Sequence, residues 1–240
     1  MSQKEIWDAI WSKQKHEDWD PLSEQIYQCL LQESEVFKGK TVLEAGSGSG
    51  RISLRLACEG AQVILVDYSE AALRLAREMF LRAGQSAEYV LADIANLPHG
   101  MDLADITWNA GVLEHLSFIQ QIKALKEMRR VTKPGGRIIS LNPNARCLPY
   151  RIGKYLAEKM GTWPYGIENP VYTLRPVCKK AGLKLVREYS TGLLEALDFL
   201  HFIPNSQSVR AVMEQFIKDL PAEEASAFPG YLLVSVMARD

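Results

Sequence analysis

A short run of glycines after a strand-like segment constrains this chain more than any other feature. Residues 41–50 read TVLEAGSGSG. Val42 and Leu43 favour a β-strand, and Glu44 stands where that strand would meet the loop. Glycine at alternate positions adopts backbone angles that other residues reach only at a cost, and it lets a ligand approach the main chain. Residues 51–57 then open a helix whose first N–H groups lack intrahelical partners, so the pattern predicts a nucleotide-like ligand at the carboxyl end of a first strand.

The spacing of these glycines separates several kinds of nucleotide site. The dinucleotide fingerprint requires G-x-G-x-x-G and the P-loop requires G-x-x-x-x-G-K-[ST], whereas residues 44–50 read E-x-G-x-G-x-G. A carboxylate just before the glycines is a poor neighbour for a pyrophosphate and a good one for an ammonium or sulfonium group. The spacing therefore argues against both phosphate-binding motifs and favours a ligand that carries a positive charge.

Two further strand-like segments carry an acid near their ends. Residues 62–67 (QVILVD) end in Asp67, about 20 residues after the glycines, where a carboxylate is expected to meet ribose hydroxyls. An acid that ends a buried strand is also costly without a partner. Tyr68 follows directly and can lie against an adenine ring, and residues 89–94 (YVLADI) place Asp93 after a third strand.

These motifs, together with residues 105–116 (DITWNAGVLEHL) and 133–139 (KPGGRII), resemble those of the class I S-adenosylmethionine-dependent methyltransferases in the same order, over about residues 40–142. The resemblance implies an α/β fold with a doubly wound, Rossmann-like sheet of seven mostly parallel strands in the order 3-2-1-4-5-7-6, a last strand that is antiparallel, and helical cap insertions. It implies S-adenosylmethionine as cofactor and S-adenosylhomocysteine as product. The cofactor-binding residues that it implies are Glu44, Gly46, Ser47, Gly48, Gly50, Arg51, Asp67, Tyr68, Asp93, Ile94, Asn109 and Gly111.

Several of these residues have a second interpretation that stays open. Arg51 either meets the methionine carboxylate or lies on the surface in the first turn of a helix. Asp93 either accepts from the adenine amino group or caps a short helix at Ile94. Asn109 either offers backbone atoms to the methionine moiety or ends a strand. His115 is the candidate catalytic residue, because imidazole titrates near neutrality and can act as a general base, but it can equally pack beside the cofactor.

The 240 residues are predicted to form a single methyltransferase domain. Residues 1–38 form an N-terminal helical segment, residues 40–142 form the cofactor-binding core, and residues 143–171 and 191–229 form cap insertions. With the N-terminal tryptophans, these insertions are expected to cover the methyl donor and to shape the substrate pocket. The candidate substrate-binding residues are Asn142, Trp163, Tyr165, His201 and Phe202.

The aromatic candidates also have a structural interpretation. Trp163 and Tyr165 either line a lid or form a satellite core under a long loop. His201 either reaches a pocket or is a satisfied histidine at an interface. Asn142, in the triplet 142–144 (NPN), superficially resembles the N-P-P-Y signature of DNA methyltransferases, but it follows the fifth strand and lacks the aromatic residue. A nucleic-acid substrate is therefore not expected.

Local patterns predict several further elements. A helix is expected over residues 71–83 with Ser69 as its cap, and another over residues 118–131. In the late insertion, residues 193–202 and 209–220 have helical patterns. Strand-like runs over residues 183–189 and 231–238 flank this insertion.

Composition limits the partners and the compartment. The net charge of −1 gives no overall attraction to nucleic acid, and no apolar run has the length of a membrane span. The four cysteines are scattered, which argues against a metal site or a disulfide framework and suits a reducing cytoplasm. Residues 123–159 hold ten Lys or Arg against two acids. They are either solvated helix faces, the simpler interpretation, or a basic rim that attracts an anionic substrate.

The predicted function is transfer of a methyl group from S-adenosylmethionine to O, N or C of a small-molecule acceptor, mainly by proximity and orientation. A non-catalytic S-adenosylmethionine-binding module is one alternative, because methyl transfer need not leave a catalytic motif in the sequence. An NAD-dependent oxidoreductase is the other, and the glycine spacing disfavours it. The sequence does not indicate which acceptor is used or whether the chain forms oligomers.

Overall fold

Seven strands form one sheet at the centre of the computed structural model, which describes residues 2–15, 18–34, 36–98 and 100–239. The strands are β1 (Thr41–Ala45), β2 (Gln62–Asp67), β3 (Glu88–Leu91), β4 (Ala104–Ala110), β5 (Thr132–Pro143), β6 (Lys184–Thr191) and β7 (Leu232–Ala238).

The strand order is β3-β2-β1-β4-β5-β7-β6. The first five strands pair in parallel, whereas β7 runs antiparallel to both β5 and β6. The predicted fold class, strand order and antiparallel last strand are therefore confirmed. Residues 133–139, which resemble the turn that introduces the fifth strand in the family, lie instead within β5, and Gly135 and Gly136 fall where the pairing register with β4 shifts between Ala104 and Ile106.

Helices cover both faces of this sheet. None of the helices in the described ranges is long and apolar enough to cross a membrane. The α-helices are α1 (Gln3–Lys13), α2 (Pro21–Glu33), α3 (Arg51–Cys58), α4 (Glu70–Arg82), α5 (Phe118–Val131), α6 (Leu148–Lys159), α7 (Arg175–Ala181), α8 (Gln207–Asp219) and α9 (Ala222–Ala225), and two short 3-10 helices span Leu113–His115 and Glu195–Phe202.

Alternating residues along the central strands supply two apolar layers. In β1, Val42 belongs to the layer under α2 and α3, and Leu43 belongs to the layer under α5 and α7. Both side chains are fully buried. Parallel strands buried on both faces read as continuous apolar runs, which explains why β1 and β2 are recognisable in the sequence.

The predicted helix limits are close to those in the structure. The hydroxyl of Ser69 caps α4 by accepting from Ala72 N at 3.4 Å, and α5 spans the predicted residues 118–131. In the late insertion, α8 agrees with the predicted helix over residues 209–220, but Glu195–Phe202 is a 3-10 helix rather than an α-helix. Both late strands are present, as β6 and β7. His16 and His99, for which the sequence indicates no role, lie outside the described residues.

We expect Leu56→Ala to lower the free energy of unfolding by about 2–5 kcal/mol, because Leu56 in α3 is fully buried and its truncation leaves a cavity. Leu81→Ala is the matched control, because Leu81 lies on α4 with 78% of its surface exposed and should change stability by less than about 0.5 kcal/mol. Urea unfolding followed by circular dichroism measures both variants. Equal losses in the two variants would contradict the assigned core.

Candidate functional site

A cavity of about 640 Å³ opens at the carboxyl ends of β1, β2 and β4. This volume is in the range of small-molecule and cofactor sites. The glycine loop forms its floor, and α1 and α2 form one wall. Of the residues predicted to bind cofactor or substrate or to catalyse, those that line the cavity are Glu44, Gly46, Ser47, Gly48, Arg51, Asp67, Tyr68, Asp93, Ile94, Gly111, His115 and Tyr165.

The loop after β1 is shaped by close contacts that only glycine permits. Gly48 has φ +53°, and a Cβ placed there would lie 2.5 Å from Cζ2 of Trp11. At Gly46, with φ +81°, a Cβ would lie 2.6 Å from a methyl carbon of Val112. The N–H groups of Gly46 and Ser47 both donate to the carbonyl of Val66, at 2.7 and 2.9 Å. The loop therefore lies tightly between the end of β2 and the helix above it.

Asp67 holds this loop at the end of β2. Its Oδ2 accepts from the N–H of Gly48 and its Oδ1 from the N–H of Ser69, both at 2.8 Å. Burial raises the pKa of the Asp67 carboxyl, and these backbone donors oppose the rise. Each carboxylate oxygen keeps further lone-pair capacity, so Asp67 can accept from a ligand hydroxyl while it supports the loop.

Glu44, Asp93 and Arg51 also lie at the cavity, and the partners of the last two are defined. Glu44 is buried beneath the glycine loop. Asp93 accepts from the N–H of Ala95 at 2.8 Å in a turn and also lines the cavity. The helix that Asp93 was expected to cap at Ile94 is absent, because residues 94–96 form only this turn. Arg51 lies 3.2 Å from a carboxylate oxygen of Asp20 at the start of α2. Thus Arg51 joins α3 to α2 at the edge of the cavity.

His115 lies at the opposite wall with its ring largely buried. Its Nδ1 is 2.8 Å from the carbonyl oxygen of Ile167, and the ring of Trp7 meets it edge-on at 5.4 Å between centroids. Burial lowers the pKa of His115, and the Ile167 carbonyl and Lys154 act in opposite directions on it, the carbonyl raising it and Lys154 lowering it. The imidazole is therefore neutral at pH 7.

Glu114 lies next to His115 but does not hydrogen-bond to it. Its Oε1 is 3.8 Å from Nε2 of His115, and the side chain is 2% exposed. Burial, followed by the nearby Glu168, raises the pKa of Glu114 well above its ordinary value. This direction favours the neutral carboxyl and argues against an ion pair with His115.

Some predicted residues lie away from the cavity. Gly50 supports the loop from below, where a Cβ would lie 2.6 Å from Cδ1 of Leu65. Asn109 and Asn142 are buried within the sheet, where Ser140 Oγ donates to Asn109 Oδ1 at 2.7 Å and accepts from Asn142 Nδ2 at 3.0 Å. These three residues lie beside the cavity wall rather than on it.

Three candidate substrate-binding residues from the two cap insertions, Trp163, His201 and Phe202, belong to an aromatic cluster outside the cavity. Trp163 packs near Phe199 and Phe202, with centroids 6.4 and 5.6 Å apart, and His201 lies against Phe202. None of Trp163, His201 and Phe202 lines the cavity. Trp163 reaches its wall through an edge contact with Tyr165 at 5.3 Å. The geometry corresponds to the satellite-core interpretation of this cluster, with Tyr165 at its boundary with the cavity.

Several lining residues were not among the predicted site residues. The face of α1 that contributes to the wall carries Gln3, Trp7 and Trp11 at a spacing of four residues, which places them on one side of the helix. That spacing was available in the sequence. Further lining residues that were not predicted are Lys4, Leu22, Ile26, Ser49, Ile52, Ala110, Val112, Leu116, Gln120, Pro143, Tyr231 and Leu232.

The fold and the cavity together define a doubly wound α/β protein whose ligand site lies outside the carboxyl ends of its strands. A family model described as a methyltransferase domain matches residues 42–136. The chain is 30% identical over 191 residues to the ubiquinone/menaquinone biosynthesis C-methyltransferase UbiE of Cronobacter sakazakii, covering 68% of this chain and 74% of that protein. The chain therefore belongs to the class I S-adenosylmethionine-dependent methyltransferases.

Other similarities differ in extent. The chain is 35% identical over 104 residues to the biotin biosynthesis bifunctional protein BioHC of Cellvibrio japonicus, and it spans 20% of that protein's length. The crystal structure of geranyl diphosphate C-methyltransferase from Streptomyces coelicolor A3(2), in complex with Mg²⁺, geranyl diphosphate and S-adenosyl-L-homocysteine, superposes with a TM-score of 0.69 at 12% identity. That superposition covers 100% of this chain and 99% of the other, and it shows a shared fold.

We expect Gly48→Ala to displace α1 from the glycine loop, because the new Cβ would overlap the ring of Trp11. Gly84→Ala is the matched control, since Gly84 has a similar φ of +66° and open space around it. Both variants should lose about 1–2 kcal/mol of stability from backbone strain. Faster hydrogen exchange in α1 should appear in Gly48→Ala alone, and equal exchange in both variants would mean that Trp11 does not hold the helix on the loop.

Proposed function

We propose that this protein transfers the methyl group of S-adenosylmethionine to a small-molecule acceptor that binds between the glycine loop and the wall formed by α1 and Tyr165. The observation that carries the proposal is that one cavity is lined both by the acid–glycine loop with Asp67 and by the imidazole of His115. Folds of this class support many different reactions, so the function is inferred from the residues of the cavity.

The residues of the floor fit the cofactor that the family uses. The methionine moiety would lie beside Gly111 along the glycine loop, with the Glu44 carboxyl near its positive charges. Asp67 would accept from the ribose hydroxyls, and Tyr68, Asp93 and Ile94 would surround the adenine. When bound there, the cofactor supplies a methyl group already activated by its sulfonium.

The acceptor side of the cavity is mainly apolar and aromatic. Trp7 and Tyr165 stack with centroids 5.9 Å apart, and Tyr231 and Leu232 add to the same lining. Such walls bind an uncharged or weakly polar molecule and exclude water from the reacting atoms. No basic residue of the segment 123–159 lines the cavity, which argues against a basic rim for an anionic substrate. Lys154 is buried, and the other basic residues of the segment are exposed or half-buried.

The residues of the cavity would mainly orient the acceptor, and His115 would act as a base where a proton has to be removed. Holding the nucleophile in line with the methyl group removes much of the entropic barrier. Where the acceptor is a hydroxyl or a protonated amine, Nε2 of His115 would take the proton, because the neutral ring has one unprotonated nitrogen when its Nδ1 donates to Ile167. The protein is expected to act in the cytoplasm.

We expect Asp67→Asn to weaken binding of S-adenosylhomocysteine by about tenfold to a hundredfold, because a charge-assisted ribose contact is lost. Asp105→Asn is the matched control, since Asp105 also accepts a backbone N–H, from Thr41 at 2.8 Å, but lies at the amino ends of the strands. Calorimetry gives the affinity, and thermal melting monitors folding. Unchanged affinity in folded Asp67→Asn would refute the assignment of Asp67.

The activity itself is tested with methyl-labelled S-adenosylmethionine and a panel of phenols, amines, thiols and carbon acids. We expect one class to be labelled, and for a hydroxyl or amine acceptor His115→Gln should lower kcat by about 10²–10⁴-fold with little change in cofactor affinity. His201→Gln is the control, because that exposed ring lies outside the cavity. Tight cofactor binding with no labelled acceptor would instead support the non-catalytic binding module.

A further inference from the structure

The first helix lies across the cavity without entering the core. A capping box begins α1, in which Ser2 and Glu5 exchange side-chain and backbone hydrogen bonds, and none of its residues is fully buried. Its inward face carries Gln3, Trp7 and Trp11. Gln3 reaches His115, Trp7 stacks on Tyr165, and Trp11 contacts the glycine loop at Gly48. The helix is therefore held in place by these side chains and by its packing against α4, and not by burial in the hydrophobic core.

Gln3 joins this helix to the loop that carries Tyr165 and Ile167. Its Nε2 donates to the carbonyl of Tyr165 at 2.8 Å, and its Oε1 accepts from the N–H of Ile167 at 3.3 Å. These two contacts fix which end of the amide is nitrogen. Gly166, between them, has φ +72°, and a Cβ there would lie 2.6 Å from Oε1 of Gln3. The loop is thus shaped to accept this amide.

The same loop sets the protonation of His115. The carbonyl of Ile167 can only accept, so its contact with Nδ1 at 2.8 Å favours a proton on Nδ1 and a lone pair on Nε2. Nε2 of Gln3 lies 3.1 Å from Nδ1 and has two protons, of which one goes to the carbonyl of Tyr165. The second can be donated to Nδ1 only in the other tautomer, so the shorter Ile167 contact, which Gln3 holds in place, favours the Nδ1–H form.

We propose that Gln3 is a positioning residue that couples the covering of the cavity by α1 to the tautomer of His115, so that Nε2 is presented as a base only when the helix lies over the site. This inference rests on the proposed function only where it calls His115 a base. The coupling between Gln3 and the tautomer of His115 rests only on the contacts among Gln3, Ile167 and His115.

Other groups near His115 remain in place when Gln3 is changed. The titratable groups around the ring are Glu114 on its own turn, Lys154 from α6, Tyr165 from the loop and Lys4 from α1. The loop keeps a second attachment, because Nδ2 of Asn169 donates to the carbonyls of Glu114 and Leu116 at 3.2 and 3.1 Å. Removal of the Gln3 amide should therefore free residues 165–167 without detaching the loop.

The test compares Gln3→Ala and Gln3→Glu with Lys13→Ala, a change on the exposed end of the same helix. Nitrogen-15 spectra of the imidazoles report the tautomer directly, and His115→Gln assigns its signal among the four histidines. In the unchanged protein and in Lys13→Ala, we expect Nδ1 protonated and Nε2 unprotonated. Gln3→Ala should shift His115 toward the tautomer mixture of a free imidazole and lower kcat by about tenfold, with affinity for S-adenosylhomocysteine nearly unchanged.

Gln3→Glu is expected to change the pKa of His115 and not its tautomer. Its carboxylate can accept from Nδ1–H, so the tautomer should be retained while the pKa of His115 rises and the pH–rate profile moves to higher pH. A His115 tautomer in folded Gln3→Ala identical to that of the unchanged protein would overturn the proposal. If His115→Gln keeps full activity, the base assignment fails, whereas the spectra still decide whether Gln3 positions the ring.

Discussion

The carboxylate of Asp67 is the contact on which the rest of the site depends. It accepts from the loop at Gly48 and from the start of the next helical connection at Ser69, so one side chain ties β2 to the turn after β1 and to the cap of α4. β1 and β2 are hydrogen-bonded neighbours, so the pairing of the two strands sets where Asp67 meets the loop. The conformation of the loop therefore depends on that pairing. The shape of the loop then determines where Trp11 of α1 can rest.

Much of the fold could be predicted from the sequence because its signals are local. Buried parallel strands give apolar runs, and the glycine loop follows the first of them, so β1, β2 and Asp67 are recognisable without tertiary information. The bulge at Gly135 and Gly136 was harder to foresee, since two glycines indicate a turn as readily as a register shift. Its form depends on how β5 pairs with β4.

The walls of the cavity could be predicted only in part, because they depend on contacts between distant segments. Asn142 follows a strand in the sequence, but pairing of β5 with β7 encloses it beside Ser140. Trp163 and Phe202 are aromatic residues near glycines, yet α6 packs so closely on Glu195–Phe202 that they join a separate cluster. For Gln3 the only signal was its four-residue spacing from Trp7, because a glutamine on a helix is otherwise usually solvated.

The absence of buried residues in α1 has a consequence for how the cavity can be altered. The sheet and its two apolar layers form the core of the fold, whereas α1 contributes side chains to the cavity wall and none to the core. Substitutions on its inward face, at Gln3, Trp7 or Trp11, would therefore act on the cavity and on how α1 is held, and not on the packing of the two apolar layers. The cavity can thus be reshaped at one peripheral helix while the glycine loop and the strand register stay unchanged.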